Sequence, residues 1–322
     1  MRGITTAPAT TELVTGGSGG EYLRRSGVGH IDAKWTDDND HSWSTRRKVA
    51  RMLARRADSI DLVIVDELFY VPALCVEMEL PCLFMACTFA TSRYFRFIRG
   101  AIGQSQMRFA VPDWYSLHPT PPEIAPHVDF LGPLVAVETC TRLQARAALG
   151  LPADATITVL LHGSPHTSKG AIRLRMLQEA VDHWRTGSRS DSLLVVVGEK
   201  PANWSDATSA GEVKWILFTN HTRLLAKAAD LVLACAGTVA LESLRAGTPT
   251  IAYTSRADWL AHARMNYLAG LNVAVHRCVD DDVDRAFADD VAASNDLRDV
   301  NDLGLSWADP SKIAALAIGL VR

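Results

Sequence analysis

The sequence has no apolar run approaching ~18 residues, so no segment reads as a membrane-spanning helix. It has no excess of charge: 33 basic and 36 acidic residues leave a formal charge of −3, which gives no reason to expect nucleic acid as a partner. It has no CxxC pair. The six cysteines lie scattered at 75, 82, 87, 140, 235 and 278, mostly in apolar stretches. They read as buried reduced thiols, which excludes a disulfide scaffold and points to a reducing compartment. The N-terminus carries no apolar signal core. A cytoplasmic protein is therefore expected, with room for peripheral contact at the inner face of a membrane. Repeats and low-complexity tracts are also missing. Two acidic clusters, Asp38-Asn-Asp40 and Asp280-Asp-Asp282, do not follow strands and read as polar loops, so no metal site is expected.

What is present is 322 residues, 48% hydrophobic and 21% charged, enough for two domains with cores of their own. Short apolar runs alternate with amphipathic ones. In the second half, strands are expected at 157–161, 193–197, 215–217, 231–234, 250–253 and 273–275. Helices are expected at 170–184, 221–228, 238–246 and 260–268. That alternation argues for a parallel sheet covered on both faces. The first half shows strands at 12–14, 62–65 and 83–85, with helices at 46–57 and 71–78. The basic helix at 46–57 reads as amphipathic, with Val49, Met52 and Leu53 as its stripe. A Pro- and His-rich stretch at 112–133 separates the halves. The domains expected are 1–140 and 141–322. A last helix is expected over 310–321, with Asp309 as N-cap and Pro310 at its first position, and with freedom to pack back on the first domain.

The most informative segment is 228–249. An apolar strand runs into Cys235, Ala236 and Gly237, a helix opens at Thr238, Glu242 lies about one turn inside it, and Gly247 and Pro249 stop it. A strand, a glycine turn and a helix N-terminus form an anion site from free N–H groups and the helix dipole. A carboxylate one turn further in suits a vicinal diol. A nucleotide offers both, as pyrophosphate and ribose.

This segment resembles the donor-nucleotide motif of GT-B glycosyltransferases, and the likeness extends over residues 157–275. The branch it is similar to is glycosyltransferase family 28, with the lipid-linked N-acetylglucosaminyltransferase of peptidoglycan synthesis, monogalactosyldiacylglycerol synthase and lipid A disaccharide synthase. The resemblance implies an α/β fold of two Rossmann-like domains facing a cleft. The first would hold the acceptor and the second the nucleotide-sugar. It implies metal-independent, inverting transfer from a UDP-sugar to a lipid, glycan or small-molecule hydroxyl. The nucleotide-sugar is a substrate, so no cofactor is expected.

The resemblance also assigns residues. Gly237 and Thr238 would hold the diphosphate and Glu242 the ribose hydroxyls. Gly163 and Ser164, in the turn after the strand at 157–161, would face the diphosphate from the other side. Phe218 would lie beside the base, which the family holds mostly through main-chain atoms. His262 and Asn266, at i and i+4 on one helix face, keep part of the family's sugar-binding pattern. Leu260 and Ala263 replace its usual Asp and Gln, which leaves the sugar open. Inverting transfer needs a base near the acceptor hydroxyl. In the family that base commonly comes from the opening loop, so the base here is left unassigned, with Asp66, at the carboxyl edge of a parallel strand, and His118 in the central linker as secondary candidates.

Enzymes of this family open with a strand, a Gly-rich loop usually containing His, and a first helix. Here residues 1–7 resemble the tail of that helix, and 12–27 the second strand and its turn, so the first domain reads as incomplete at its start. The alternative makes Gly16-Gly-Ser-Gly-Gly20 itself the phosphate or acceptor loop, with no His directly after it. The stretch from Phe89 to Phe109 interleaves arginines with Tyr94, Phe95, Phe97 and Ile98, a pattern suited to an anionic membrane surface. Two rivals stay open: a UDP-sugar 2-epimerase or nucleotide-sugar hydrolase of the same fold, and a non-catalytic nucleotide-binding or partner subunit.

Overall fold

The computed structural model describes residues 11–36, 39–86, 96–113, 120–136, 138–161, 181–182, 184, 190–198, 200, 211–235, 237–253 and 307–321. The chain divides into two compact units. One comprises Met1–Met85, Thr91–Phe109 and Ala317–Arg322, the other Ala86–Ala90 and Ala110–Leu316.

The first unit begins with a small βαβ element. Strand β1 (Val14–Thr15), helix α1 (Gly17–Arg25) and strand β2 (Ile31–Asp32) follow one another, and the two strands pair in parallel, Val14 with Ile31. Parallel neighbours need a crossover, and α1 supplies it. The glycine cluster is therefore not a turn after a strand, as its composition suggested. Gly16 is the extended N-cap, and Gly17 to Gly20 form the first turn of a helix. Gly16 lies against Trp35, so close that an added Cβ would sit 2.8 Å from the indole Cδ1. The helix closes on a Schellman motif. Val28 N–H donates to Leu23 O at 2.9 Å and Gly27 N–H to Arg24 O at 3.2 Å, with Gly27 at φ +70°.

Helix α2 (Trp43–Ala54) starts three residues earlier than its apolar stripe implies, because the Ser42 hydroxyl caps it by accepting from Thr45 N–H. It buries Thr45, Val49 and Leu53, spaced i, i+4, i+8. Strand β3 (Val63–Asp66), helix α3 (Val71–Glu77), strand β4 (Cys82–Met85), strand β5 (Met107–Val111) and strand β6 (Val128–Phe130) follow. The four strands form one sheet in the order β3-β4-β5-β6, with β3 and β4 parallel. Phe69, Phe84 and Phe109 pack edge to face beside it, with centroids 5.1 and 6.0 Å apart. Ile98 and Phe109 are buried. Those apolar members of the 89–109 stretch belong to the core, while Arg93, Tyr94 and Phe95 lie outside the described residues.

The second unit, which already holds the end of β5 and all of β6, continues with helix α4 (Arg142–Ala148), fixed at its start by a Thr141–Gln144 capping box. Then come β7 (Thr156–Leu161), β8 (Ser192–Val197), β9 (Glu212–Ile216), α5 (Thr222–Ala228), β10 (Leu231–Cys235), α6 (Thr238–Arg245) and β11 (Thr250–Tyr253). All five strands are parallel, in the order β11-β10-β7-β8-β9. Alternate residues serve opposite faces. Ile157, Val159, Leu193, Val195 and Val232 pack with Ala145, Leu225, Leu241 and Leu244, while Leu160, Leu194, Val196, Leu233 and Ile251 pack with Val181 and Trp184. Burial on both faces explains why β7, β8 and β10 read as unbroken apolar runs. Strand β9 sits at the edge and is half-exposed, so its polar first half was missed and its expected position fell a few residues late.

A buried arginine ties α4 to the sheet. The Arg146 guanidinium donates to Ala228 O at 2.9 Å, to Ala155 O at 3.1 Å, to Ala153 O and to Asp230 Oδ2 at 2.7 Å. Asp230 in turn accepts from Ile157 N–H at 2.8 Å and from Arg142 at 2.7 Å. The last helix, α7 (Pro310–Val321), is capped by Asp309, whose carboxylate accepts from Ser311 N–H and is held below its ordinary pKa chiefly by that bond. Among the described residues no helix is long and apolar enough to cross a membrane.

Candidate functional site

The strand order places the site. From β7 the chain moves to β8 and β9 on one side, then returns to β10 and β11 on the other. In open parallel sheets the crevice at the carboxyl ends of the two strands flanking such a reversal is where ligands bind. Those strands are β7 and β10, paired with Leu161 beside Ala234. Strand β10 ends at Cys235, and α6 starts at Thr238.

Gly237 is the N-cap of α6, in extended conformation, and has no side chain with which to cap. The N–H groups of the first turn are thus left for water or a ligand, and the helix dipole favours an anion there. Thr238 is the first helical residue rather than the cap, and it is exposed. Glu242 lies one turn in. Helical Cα–Cβ bonds tilt toward the N-terminus, which is the direction of the entrance from Glu242.

Helix α5 lies alongside α6 and supports this end. The Thr222 hydroxyl, in the first residue of α5, donates to Glu242 Oε2 at 3.1 Å. Near the far ends, Lys227 Nζ donates to Ala246 O at 2.9 Å and Thr248 Oγ1 to Ala226 O at 2.8 Å. The Glu242 carboxyl is half-buried, and burial raises its pKa above the ordinary value. The Thr222 bond and the Arg223 charge pull it back, and the Glu138 charge pushes it up. Arg223 Nε and Glu138 Oε1 are 3.6 Å apart.

Phe218 is half-buried, between the end of β9 and the start of α5. Asp66 ends β3 in the first unit. It is exposed, yet partial withdrawal from water, reinforced by the neighbouring Glu67 charge, pushes its pKa up to about 6. Glu67 follows at φ +57°, a left-handed conformation uncommon outside glycine, and its N–H donates to Met85 O at 2.9 Å.

The second unit therefore brings Gly237, Thr238 and Glu242 to one helix entrance. Gly163, Ser164, His118, His262 and Asn266 lie outside the described residues. Thr222, Arg223 and Glu138 were not anticipated. Thr222 is 20 residues from Glu242 in sequence, and only the packing of two helices joins them.

No family model matches this chain, and no curated protein sequence does. Solved structures do match. UGT89C1 of Arabidopsis thaliana, complexed with quercetin, superposes with a TM-score of 0.60 at 12% identity, covering 98% of this chain and 93% of that one. The spinosyn forosaminyltransferase SpnP gives 0.58 at 12%, covering 97% and 91%. MurG of Acinetobacter baumannii gives 0.53 at 11%, covering 96% and 86%. The fold is GT-B. In this GT-B chain the β10–Gly237–α6 entrance lies at the strand reversal of the second unit, and its carboxylate is fixed by a neighbouring helix.

Proposed function

We propose that this chain is a glycosyltransferase that moves a sugar from a nucleotide-diphosphate donor, a UDP-sugar, to an acceptor hydroxyl, with inversion and without a metal. One observation carries the reading. Helix α6 starts without a side-chain cap where strand β10 of a parallel sheet ends, and Glu242 lies one turn inside it with its carboxylate bonded to the first residue of α5. A diphosphate meets the N–H groups and the ribose diol meets the carboxylate. The structural neighbours support it: they are glycosyltransferases, and UGT89C1 was crystallised with UDP and with UDP-L-rhamnose. MurG among them accords with the likeness to family 28.

The chemistry is one substitution. An acceptor oxygen forms a bond to the anomeric carbon, and the bond from that carbon to the diphosphate oxygen breaks. The electron pair leaves with the diphosphate, and the proton of the acceptor passes to a base. Fixed N–H dipoles at Thr238 and the residues after it stabilise the departing charge, and the protein otherwise contributes positioning. Asp66, with its pKa near 6, is the base candidate in the described part of the first unit, and His118 is the other. The acceptor is a lipid, glycan or small-molecule hydroxyl, and the protein acts in the cytoplasm or at the inner face of the membrane.

Incubation with a panel of UDP-sugars and hydroxyl acceptors, resolved by chromatography and NMR, tests the reading. Glycoside and UDP formed in equal amounts support it. Free sugar alone would mark a hydrolase, and an epimerised donor an epimerase.

A further inference from the structure

We propose that Thr222 is a positioning residue for Glu242, holding one carboxylate oxygen so that the other faces the ligand's vicinal diol. This rests on the reading of Glu242 as the diol contact, and adds a residue on a different helix to it.

A glutamate on a helix surface samples several rotamers, and fixing it costs entropy when a ligand binds. Here the carboxylate is fixed in advance. The Thr222 hydroxyl donates across the α5–α6 interface to Oε2 at 3.1 Å. A carboxylate offers about four lone-pair positions, and this bond uses one of them. Oε1, which takes no hydrogen bond from another described residue, is the oxygen offered to a diol. The hydroxyl is well supported. Thr222 is the first residue of α5, and that helix is tied to α6 at its other end by Lys227 and Thr248. The donor therefore stays in place whether or not a ligand is present.

The same bond favours the charged form of Glu242. Burial favours the protonated form, which would offer a diol one fewer acceptor. Among the described residues, the charged groups acting on the carboxylate are Arg223, also on α5, and Glu138, ahead of α4. These two act in opposite directions and are partnered with each other at 3.6 Å. Thr222 is the strongest of the groups that favour the ionised form. Its removal should both loosen the carboxylate and raise the pH at which it takes a proton.

The test is calorimetric titration of UDP into wild type, Thr222→Val, Thr222→Ser, Glu242→Ala and the Thr222→Val/Glu242→Ala double variant, from pH 5 to 8. Valine keeps the shape of threonine, and circular dichroism checks the fold of each variant. Thr222→Val should weaken UDP binding about five- to tenfold, the upper part of the range for the net contribution of one ordinary hydrogen bond. It should also move the acid limb of the affinity profile to higher pH, and Thr222→Ser should restore both. In the Glu242→Ala background the valine should add nothing. Thr222→Val binding UDP as wild type does, while Glu242→Ala fails to, would overturn the positioning role and leave the donor site standing. An equal loss from valine with or without Glu242 would show a merely structural threonine and also overturn it. Unchanged binding by Glu242→Ala would remove the donor reading itself.

Discussion

Arg146→Ala should lower the stability of the second unit by about 3 kcal/mol. The side chain is 6% exposed and donates four hydrogen bonds, three of them to main-chain carbonyls. Hydrogen bonds from a charged donor contribute roughly 1.5–3 kcal/mol each in isolation, but bonds from one guanidinium do not add. Removing one partner of a buried ion pair costs about 3–5 kcal/mol because the other charge is stranded. Asp230 would not be wholly stranded. Its side chain is 32% exposed, and it keeps Arg142 and Ile157 N–H. The estimate therefore sits at the low end of that range. Urea unfolding followed by circular dichroism is the assay. The chain has two compact units, so the transition of the second should move to lower urea with its m-value unchanged. Arg146→Lys should recover little of the loss, since one ammonium cannot reach three carbonyls and a carboxylate at once. A change below about 1 kcal/mol for Arg146→Ala would refute the reasoning, because it would mean water replaces the guanidinium without cost.

Three more outcomes are expected. Gly16→Ala places a methyl within 2.9 Å of three Trp35 ring atoms, so it should cost about 1–3 kcal/mol in thermal unfolding, and Trp35→Ala in the same chain should relieve that strain. Asp66 has its folded pKa raised to about 6 from 3.8, so the native state binds the extra proton and stability from this group falls as pH rises between those values. Asp66→Asn should be equal to wild type near pH 4 and more stable at pH 7.5 by up to about 1 kcal/mol, the shift being discounted for an exposed carboxylate; a less stable variant at pH 7.5 would count against it. Cys75 and Cys82 are buried, and their mutual hydrogen bond and burial hold the Cys82 thiol well above its ordinary pKa, so both should resist a thiol reagent at pH 8 until urea unfolds the chain.

The legible parts of this fold were local. Residues 231–242 announce a strand, a glycine and a helix because a strand buried on both faces must be a continuous apolar run and the helix must begin where that run ends. Gly237 at the helix entrance and Glu242 one turn inside could be placed for the same reason, since their positions depend on one chain segment. Gly16 to Gly20 misled because glycine is a poor helix former, and the packing of Gly16 on Trp35 and the pairing of β1 with β2 override that preference. Strand β2 is only two residues long and gives no periodic signal. The edge strand β9 alternates in exposure and hides its first half. Thr222 and Arg146 could not be read at all. Their partners lie 20 and 84 residues away, and only tertiary packing brings them together.

The central claim is a nucleotide-diphosphate site at the entrance of α6. Calorimetric titration of UDP, GDP and dTDP into the folded chain, with Glu242→Ala alongside, tests it most directly. UDP should bind in preference to the others, and the variant should lose at least about tenfold in affinity, roughly 1.4 kcal/mol. Failure of all three nucleotides to bind a folded protein, or equal binding by Glu242→Ala, would contradict it.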